Sequence, residues 1–311
     1  MTNNTGAYYI GIDSGGTKCE ILIVSKDKKI LSDKSYKGVH YSVAGVENYS
    51  ETVTDFIDDS LSIAGLGLKN CMGICLGIAG AREKKDRIKL KEAFTKNLRF
   101  KNISVTTDAM TALYGAFGGK DGIILISGTG SVLYGFSKGV ITRVGGWGRI
   151  IGDEGSGYWI GRRALILIAN EYDLRKIKNK NSGLSEKLEK AFGIKKENIN
   201  EKVFNADFEI QKIAPIVIEC SKKCAMSKKI IDEAVEGLMD HIRTYLKIAN
   251  IKKQMKIAFI GSIIENKNNL SDKLKSELKK IKTIEVVIKQ HSSAYGAVLL
   301  TQENPEIMRK I

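Results

Sequence analysis

Two short glycine turns, each lying between apolar runs and each followed by a further run, constrain this chain more than any other feature. In the first, Ala7–Asp13 (AYYIGID) meets Ser14-Gly15-Gly16, resumes as Lys18–Ser25 (KCEILIVS), and is followed by Lys29–Lys37. In the second, Gly122–Ser127 (GIILIS) meets Gly128-Thr129-Gly130, resumes as Ser131–Ser137, and is followed by Val140–Val144. Strand-forming runs joined by a glycine turn predict β-hairpins, each extended here by a third strand. The same order returning roughly 115 residues later predicts a duplicated, two-lobed α/β chain.

The intervening sequence fits that plan. Val53, Phe56, Ile57, Leu61 and Ala64 recur at a helical period and predict a helix over Val46–Ala64. Cys71–Ala79 reads as a buried strand, Arg82–Asn97 as a charged helix and Ile103–Thr107 as a strand. Asp108 is placed to cap the helical run AMTALYGAF. Gly157–Ala249 reads as mostly helical, with Ile230–Ala249 amphipathic. Strand Lys256–Ile260, helix Ser271–Ile281 and strand Ile284–Ile288 complete the alternation. The lobe boundary is expected at Phe117–Lys120, giving lobes 1–117 and 118–311. A last helix over about 292–311 is a candidate to return to the first lobe.

Composition narrows the function classes. A length of 311 residues, 43% of them hydrophobic and 27% charged, supports about two packed domains and argues against disorder. No apolar stretch nears the ~18 residues of a membrane span, and Met1–Tyr9 lacks a signal peptide's basic and apolar regions. A cytoplasmic protein without a membrane partner is expected. The net charge of +15 comes from lysines scattered among acidic residues as solvated helix faces, with no basic aromatic stripe, so no nucleic-acid partner is expected. Five cysteines without a CxxC pair read as small buried hydrophobes. Cys71 and Cys75 are expected on one face of a strand, and Cys220 and Cys224 on one face of a helix. His241 and His291 read as solvent or helix residues.

Four constellations carry chemistry. Asp13 ends a strand just before Gly15, Gly16, Thr17 and Lys18. A carboxylate there suits a hydrated Mg²⁺, while a turn without Cβ atoms lets backbone N–H groups approach phosphate oxygens. Neither a P-loop nor a dinucleotide-binding fingerprint fits, because a strand follows the turn. The turn Gly128, Thr129, Gly130 and Ser131 occupies the equivalent place in the second half, so the two can grip a polyphosphate from both sides of a cleft. Asp108 stands at a strand end and helix start, where a carboxylate can accept a hydroxyl proton. The run Gly145-Gly146-Trp147-Gly148-Arg149-Ile150-Ile151-Gly152-Asp153-Glu154-Gly155-Ser156-Gly157-Tyr158-Trp159-Ile160-Gly161 sets carboxylates beside glycines and aromatics, which suits a sugar.

These motifs resemble the superfamily of sugar kinases, actin and heat-shock chaperone ATPases. Within it the chain is similar to the N-acetylglucosamine kinase and BadF/BadG/BcrA/BcrD-type ATPase family, from Asp13 through Ala294-Tyr295-Gly296-Ala297. The resemblance implies two ribonuclease H-like lobes around a central ATP and sugar cleft, lobe closure that excludes water, and a homodimer. It implies that the two turns bind the phosphates of ATP and that Gly261 and Ser262, in Ile257–Ser262, border the nucleoside. It makes Asp108 the catalytic base and places the sugar against Gly145, Gly146, Trp147 and Asp153. His40 stands where the family carries a sugar-binding Asn, and so bears on substrate choice. The implied activity is ATP-dependent phosphorylation of an amino sugar, at the 6-hydroxyl of N-acetylglucosamine or a relative such as N-acetylmuramic acid. The alternative within the broad family is an ATP-driven dehydratase or reductase activator, which would need exposed cysteines for an iron–sulfur cluster.

Overall fold

β1 (Tyr8–Ser14), β2 (Lys18–Ser25) and β3 (Ile30–Lys37) form an antiparallel meander whose first turn is Gly15–Thr17. The structure is a computed structural model describing residues 6–174, 182–204 and 208–303. A short helix α1 (Tyr41–Ala44) and the long α2 (Val46–Ile63) lead to β4 (Cys71–Ile78). They are followed by α3 (Lys84–Leu98), β5 (Ile103–Thr107) and α4 (Asp108–Phe117). β4 pairs parallel to β1 and β5 parallel to β4, giving the order β3-β2-β1-β4-β5.

The pattern then repeats. β6 (Gly122–Ser127), β7 (Ser131–Ser137) and β8 (Val140–Gly145) form a second antiparallel meander. Helices α5 (Gly157–Leu174), α6 (Leu184–Phe192), α7 (Ile199–Phe204), α8 (Ala214–Cys220) and α9 (Ala225–Ile248) precede β9 (Met255–Ile260). α10 (Asn269–Leu278), β10 (Ile284–Val287) and α11 (Ser293–Glu303) end the described chain. β9 pairs parallel to β6 and β10 parallel to β9, so β8-β7-β6-β9-β10 reproduces the first sheet strand for strand.

Two compact units result, one from residues up to Lys120 together with Lys289 onward, the other from Asp121–Ile288. The sequence boundary at 117/118 lies just before the observed division, and α11 belongs with the first unit. The part of the expected last helix beyond 303 lies outside the described residues.

In the first unit, alternation along the strands sends side chains to two helical layers. Ile10, Ile12, Ile21 and Ile23 meet Val53, Ile57, Leu90 and Phe94 of α2 and α3. On the other face, Leu22 and Val24 meet Ala294 and Val298 of α11. Gly11 is what lets α11 lie so close, because a Cβ there would fall 2.1 Å from the Ala294 carbonyl oxygen. In the second unit, Ile123, Leu125 and Leu133 pack with Ile160 and Ile168 of α5 and with Ile230, Ala234, Leu238 and Ile242 of α9.

Local details correct the sequence reading. Tyr8 pairs with Cys71 but Tyr9 with Gly73, so Met72 is an extra, bulged residue. The bulge reverses the alternation. Cys71 therefore packs with the α2/α3 layer, and Cys75 packs with Met110 and Tyr114 of α4 on the opposite face. Thr107, not Asp108, caps α4, because its backbone is still extended and its side chain accepts Met110 N–H. The four cysteines Cys19, Cys71, Cys75 and Cys220 are buried. Cys224 is partly exposed, and its thiol donates to Ser182 O.

Candidate active site

The parallel pairing of β1, β4 and β5 decides which residues of the first unit meet. Asp13 lies opposite Gly77 of β4, and Ile78 lies opposite Thr107 of β5, so Asp13 and Asp108 leave the same end of the sheet. Such carboxyl ends of parallel strands are where ligands bind in open α/β sheets. Burial, the facing Asp108 and Glu20 push the Asp13 carboxyl up to about 7, against a hydrogen bond from Ser293 and the charge of Lys18. Burial also raises Asp108, an effect opposed by the Ala109 N–H (2.9 Å to Oδ1) and by the positive field of Arg82 and His40. Sequence reasoning missed Ser293, which bonds Asp13 through the packing of α11, and Arg82, whose charge in the loop after β4 acts on Asp108.

The first glycine turn is closed by Gly15 N–H donating to Lys18 O (2.9 Å) and leaves Gly16, Thr17 and Lys18 exposed. Beneath it, the Tyr49 hydroxyl donates to Ser14 Oγ (2.7 Å). Gly38 abuts it so closely that a Cβ would fall 2.3 Å from Gly15 O. Lys18 itself pairs with Glu20 at 2.8 Å. The His40 ring lies against both Gly16 and Gly80 and is stacked on Tyr41, with Nδ1 2.8 Å from the Ser42 hydroxyl. In the sequence His40 and Asp108 stand far from Asp13 and its turn. The first unit gathers them.

The second unit builds a matching assembly around the turn between β6 and β7. Ser127 Oγ donates to Gly155 O (2.9 Å) and Ser131 Oγ to Glu154 O (2.7 Å). Gly157 N–H donates to Gly128 O (2.7 Å) and Tyr158 N–H to Thr129 O (3.2 Å). The turn and the glycine-rich loop are therefore one folded piece, and the Ser131 hydroxyl proton is engaged in holding it. Thr129 is exposed. Ile263 N–H donates to Ser127 O (3.1 Å), tying the segment after β9 to the same turn. Gly261, at φ +100°, would place a Cβ 2.4 Å from Ser127 O, so no side chain fits there.

Within the loop, Asp153 is 8% exposed and adopts φ +60°, a left-handed conformation that costs a non-glycine residue energy. Its Oδ1 accepts Gly148 N–H (3.3 Å), and its carboxylate lies over Gly130 of the turn. Trp147 is 71% exposed and carries the Arg143 guanidinium 5.5 Å from its ring centroid. Arg143 also donates to Gly146 O. Gly145, Gly146, Trp147 and Asp153 thus share one loop. His241 is a helix residue of α9, as the sequence reading allowed, and is buried against this loop.

Beside Ser262 the second unit also carries a cavity of about 410 Å³, lined by Pro215, Ile218, Lys222, Ile263, Asn268 and Asn269 among others. These residues come from α8, the loop after it, the segment after β9 and the start of α10. No local pattern in the sequence marks them.

The model of the BadF/BadG/BcrA/BcrD ATPase family matches residues 10–301. The chain belongs to that family. It is 30% identical over 302 residues to an N-acetylmuramic acid/N-acetylglucosamine kinase of Clostridium acetobutylicum, covering 95% of this chain and 98% of the relative. It is 28% identical over 318 residues to an N-acetyl-D-glucosamine kinase of Dictyostelium discoideum, covering 94% and 97%. In fold it is similar to a Chromobacterium violaceum protein described as a candidate N-acetylglucosamine kinase. That match has a TM-score of 0.75 at 24% identity and covers 96% of this chain and 100% of the other. A glucose-bound hexokinase from Schistosoma mansoni shares the fold at TM-score 0.64 and 13% identity, covering 96% and 85%. Membership places the chain among ATP-using α/β proteins built, like sugar kinases, on two related sheets.

Proposed function

We propose that this chain is an ATP-dependent amino-sugar kinase, a phosphotransferase with an alcohol acceptor. It acts on the 6-hydroxyl of N-acetylglucosamine or a related hexosamine such as N-acetylmuramic acid. What carries the reading is the carboxylate pair Asp13–Asp108 at one sheet end, combined with full-length similarity to kinases of those sugars.

Asp108 is the general base. Its carboxylate, held at the N-terminus of α4 by Ala109 N–H, accepts the hydroxyl proton as the sugar oxygen bonds to the γ-phosphorus. The bond from that phosphorus to the bridging oxygen breaks, and ADP leaves with its electron pair. A raised basicity suits a carboxylate that must take a proton from an alcohol. The turns at Gly15–Lys18 and Gly128–Ser131 hold phosphates through backbone N–H groups and exposed hydroxyls, and the cavity beside Gly261 and Ser262 takes the nucleoside. Asp153, in the loop with Gly145, Gly146 and Trp147, accepts sugar hydroxyl hydrogens, and His40 bears on substrate choice.

The donor chemistry fits a divalent cation. Asp13 offers hard carboxylate oxygens, and its acidity is weakened by burial and then by the charge of Asp108, an environment a cation would relieve. Asp13 would hold Mg²⁺, which when bound neutralises phosphate charge. Cytoplasmic residence and a homodimer complete the proposal.

The test is ADP release from Mg·ATP by the purified protein against a panel of amino, acetamido and neutral hexoses. Strong stimulation by an amino or acetamido sugar is expected. ATP hydrolysis indifferent to every sugar would overturn the reading.

A further inference from the structure

The glycine-rich loop begins where β8 ends and finishes where α5 begins, and one side chain from outside touches it near both ends. His241, on α9, is 8% exposed. Its ring packs so closely under Gly145 that a Cβ there would fall 2.5 Å from Nε2, and Gly145 holds φ +74°. The same Nε2 lies 3.4 Å from Glu154 Oε2. Nδ1 is buried with no hydrogen-bond partner, so the ring's polar contact with the protein is directed at the loop. Glu154 in turn follows Asp153 directly, and its carbonyl takes the Ser131 hydroxyl of the second turn.

The geometry points to His241 as a positioning residue for the sugar loop: by fixing Gly145 and Glu154 together, it sets where the Asp153 carboxylate stands. The inference rests on the amino-sugar kinase reading for its catalytic consequence, but not for its structural one. Asp153 is in a strained left-handed conformation, and such conformations persist only where their surroundings over-determine them. On one side those surroundings are the turn, through Ser127, Ser131 and Gly130. On the other they are His241, with Arg143 holding Gly146. His241 touches neither reacting atom nor substrate and acts through the loop alone.

The experiment compares wild type with His241→Ala, Glu154→Gln and the double variant, using two readouts. Hydrogen exchange of peptides covering Gly145–Gly157 reads the loop without any substrate, and α9 peptides report whether the fold is intact. Expected is faster loop exchange in both single variants, by about tenfold, with α9 protection retained. Unchanged loop exchange in His241→Ala would overturn the inference. If that variant fails to fold, Glu154→Gln, altered at a half-exposed side chain, carries the test alone by the same criterion. Kinetics add a split that a general loss of stability would not give. The sugar KM should rise about tenfold while the ATP KM stays within about twofold. The double variant should be no worse than the worse single one, since both act through one contact. Sugar and ATP constants moving together would refute the role. A wild type that no sugar stimulates would refute the kinase reading alone and leave the exchange result standing.

Discussion

Gly130→Ala isolates the contact between the second glycine turn and the acidic loop. A Cβ at this position would stand 2.8 Å from Asp153 Oδ2 and 3.3 Å from Cγ, so the carboxylate must retreat until the contact opens to about 3.4 Å. Free rotation is denied it, because Asp153 is buried, Oδ1 accepts Gly148 N–H at 3.3 Å, and the backbone is already left-handed. Under the proposed function, hydrogen bonds from a bound sugar to Asp153 would be charge-assisted, and such bonds contribute about 1.5–3 kcal/mol. Displacing the acceptor should forfeit much of one, which corresponds to a rise in sugar KM of about 10-fold to 100-fold. The assay is initial-rate ADP release with sugar varied at saturating ATP. Because Gly130 also belongs to a turn proposed to hold phosphates, the decisive comparison is a cycle with Asp153→Ala. Once the carboxylate is gone the added methyl has nothing to strike, so Gly130→Ala/Asp153→Ala should match Asp153→Ala. A sugar KM within twofold of wild type in Gly130→Ala would refute the reasoning. So would full additivity in the cycle.

Asp108→Asn should lower kcat by about 10²–10⁴-fold with ATP affinity nearly intact, measured by nucleotide titration beside turnover, because it removes only the proton acceptor. Near wild-type turnover would remove Asp108 from the base role. Tyr245→Phe should leave stability unchanged or raise it by about 1 kcal/mol in urea unfolding, because its hydroxyl is buried without a hydrogen-bond partner; a clear loss would show that the hydroxyl is paired. Burial holds the His241 imidazole below the ordinary histidine value, against the pull of Glu154, Asp240 and Asp153. The unfolded chain therefore takes up that proton first, and stability should fall as pH drops below about 6.5. Relative to wild type, His241→Gln should lose less unfolding free energy between pH 7.5 and 5; an equal loss would assign the pH dependence elsewhere.

Much of this protein was legible in its sequence because the relevant signals are local. Strand runs broken by Gly15-Gly16 and Gly128–Gly130 can only turn back on themselves, and their repetition announced two similar sheets. The dense glycines between Gly145 and Gly157, with Trp147 and Asp153 among them, marked a loop, and the structure has one there between β8 and α5. What the sequence leaves open depends on register and on contacts between distant segments. The bulge at Met72 cannot be seen in an apolar run, yet one extra residue sends Cys71 and Cys75 to opposite faces. Whether Thr107 or Asp108 caps α4 depends on where the extended backbone of β5 ends. Asp13 and Asp108 stand at one sheet end only because β1, β4 and β5 pair in parallel, and burial raises both carboxyls, with Asp108 and Glu20 adding to the rise at Asp13. Ser293 bonds Asp13, the charge of Arg82 acts on Asp108, and His241 reaches the glycine-rich loop, all by packing of helices and loops that no short motif records. The sequence by itself determined which residue types were present and where the chain must turn. Tertiary structure alone decided which of them meet, because burial, register and close approach belong to pairs of segments rather than to either one.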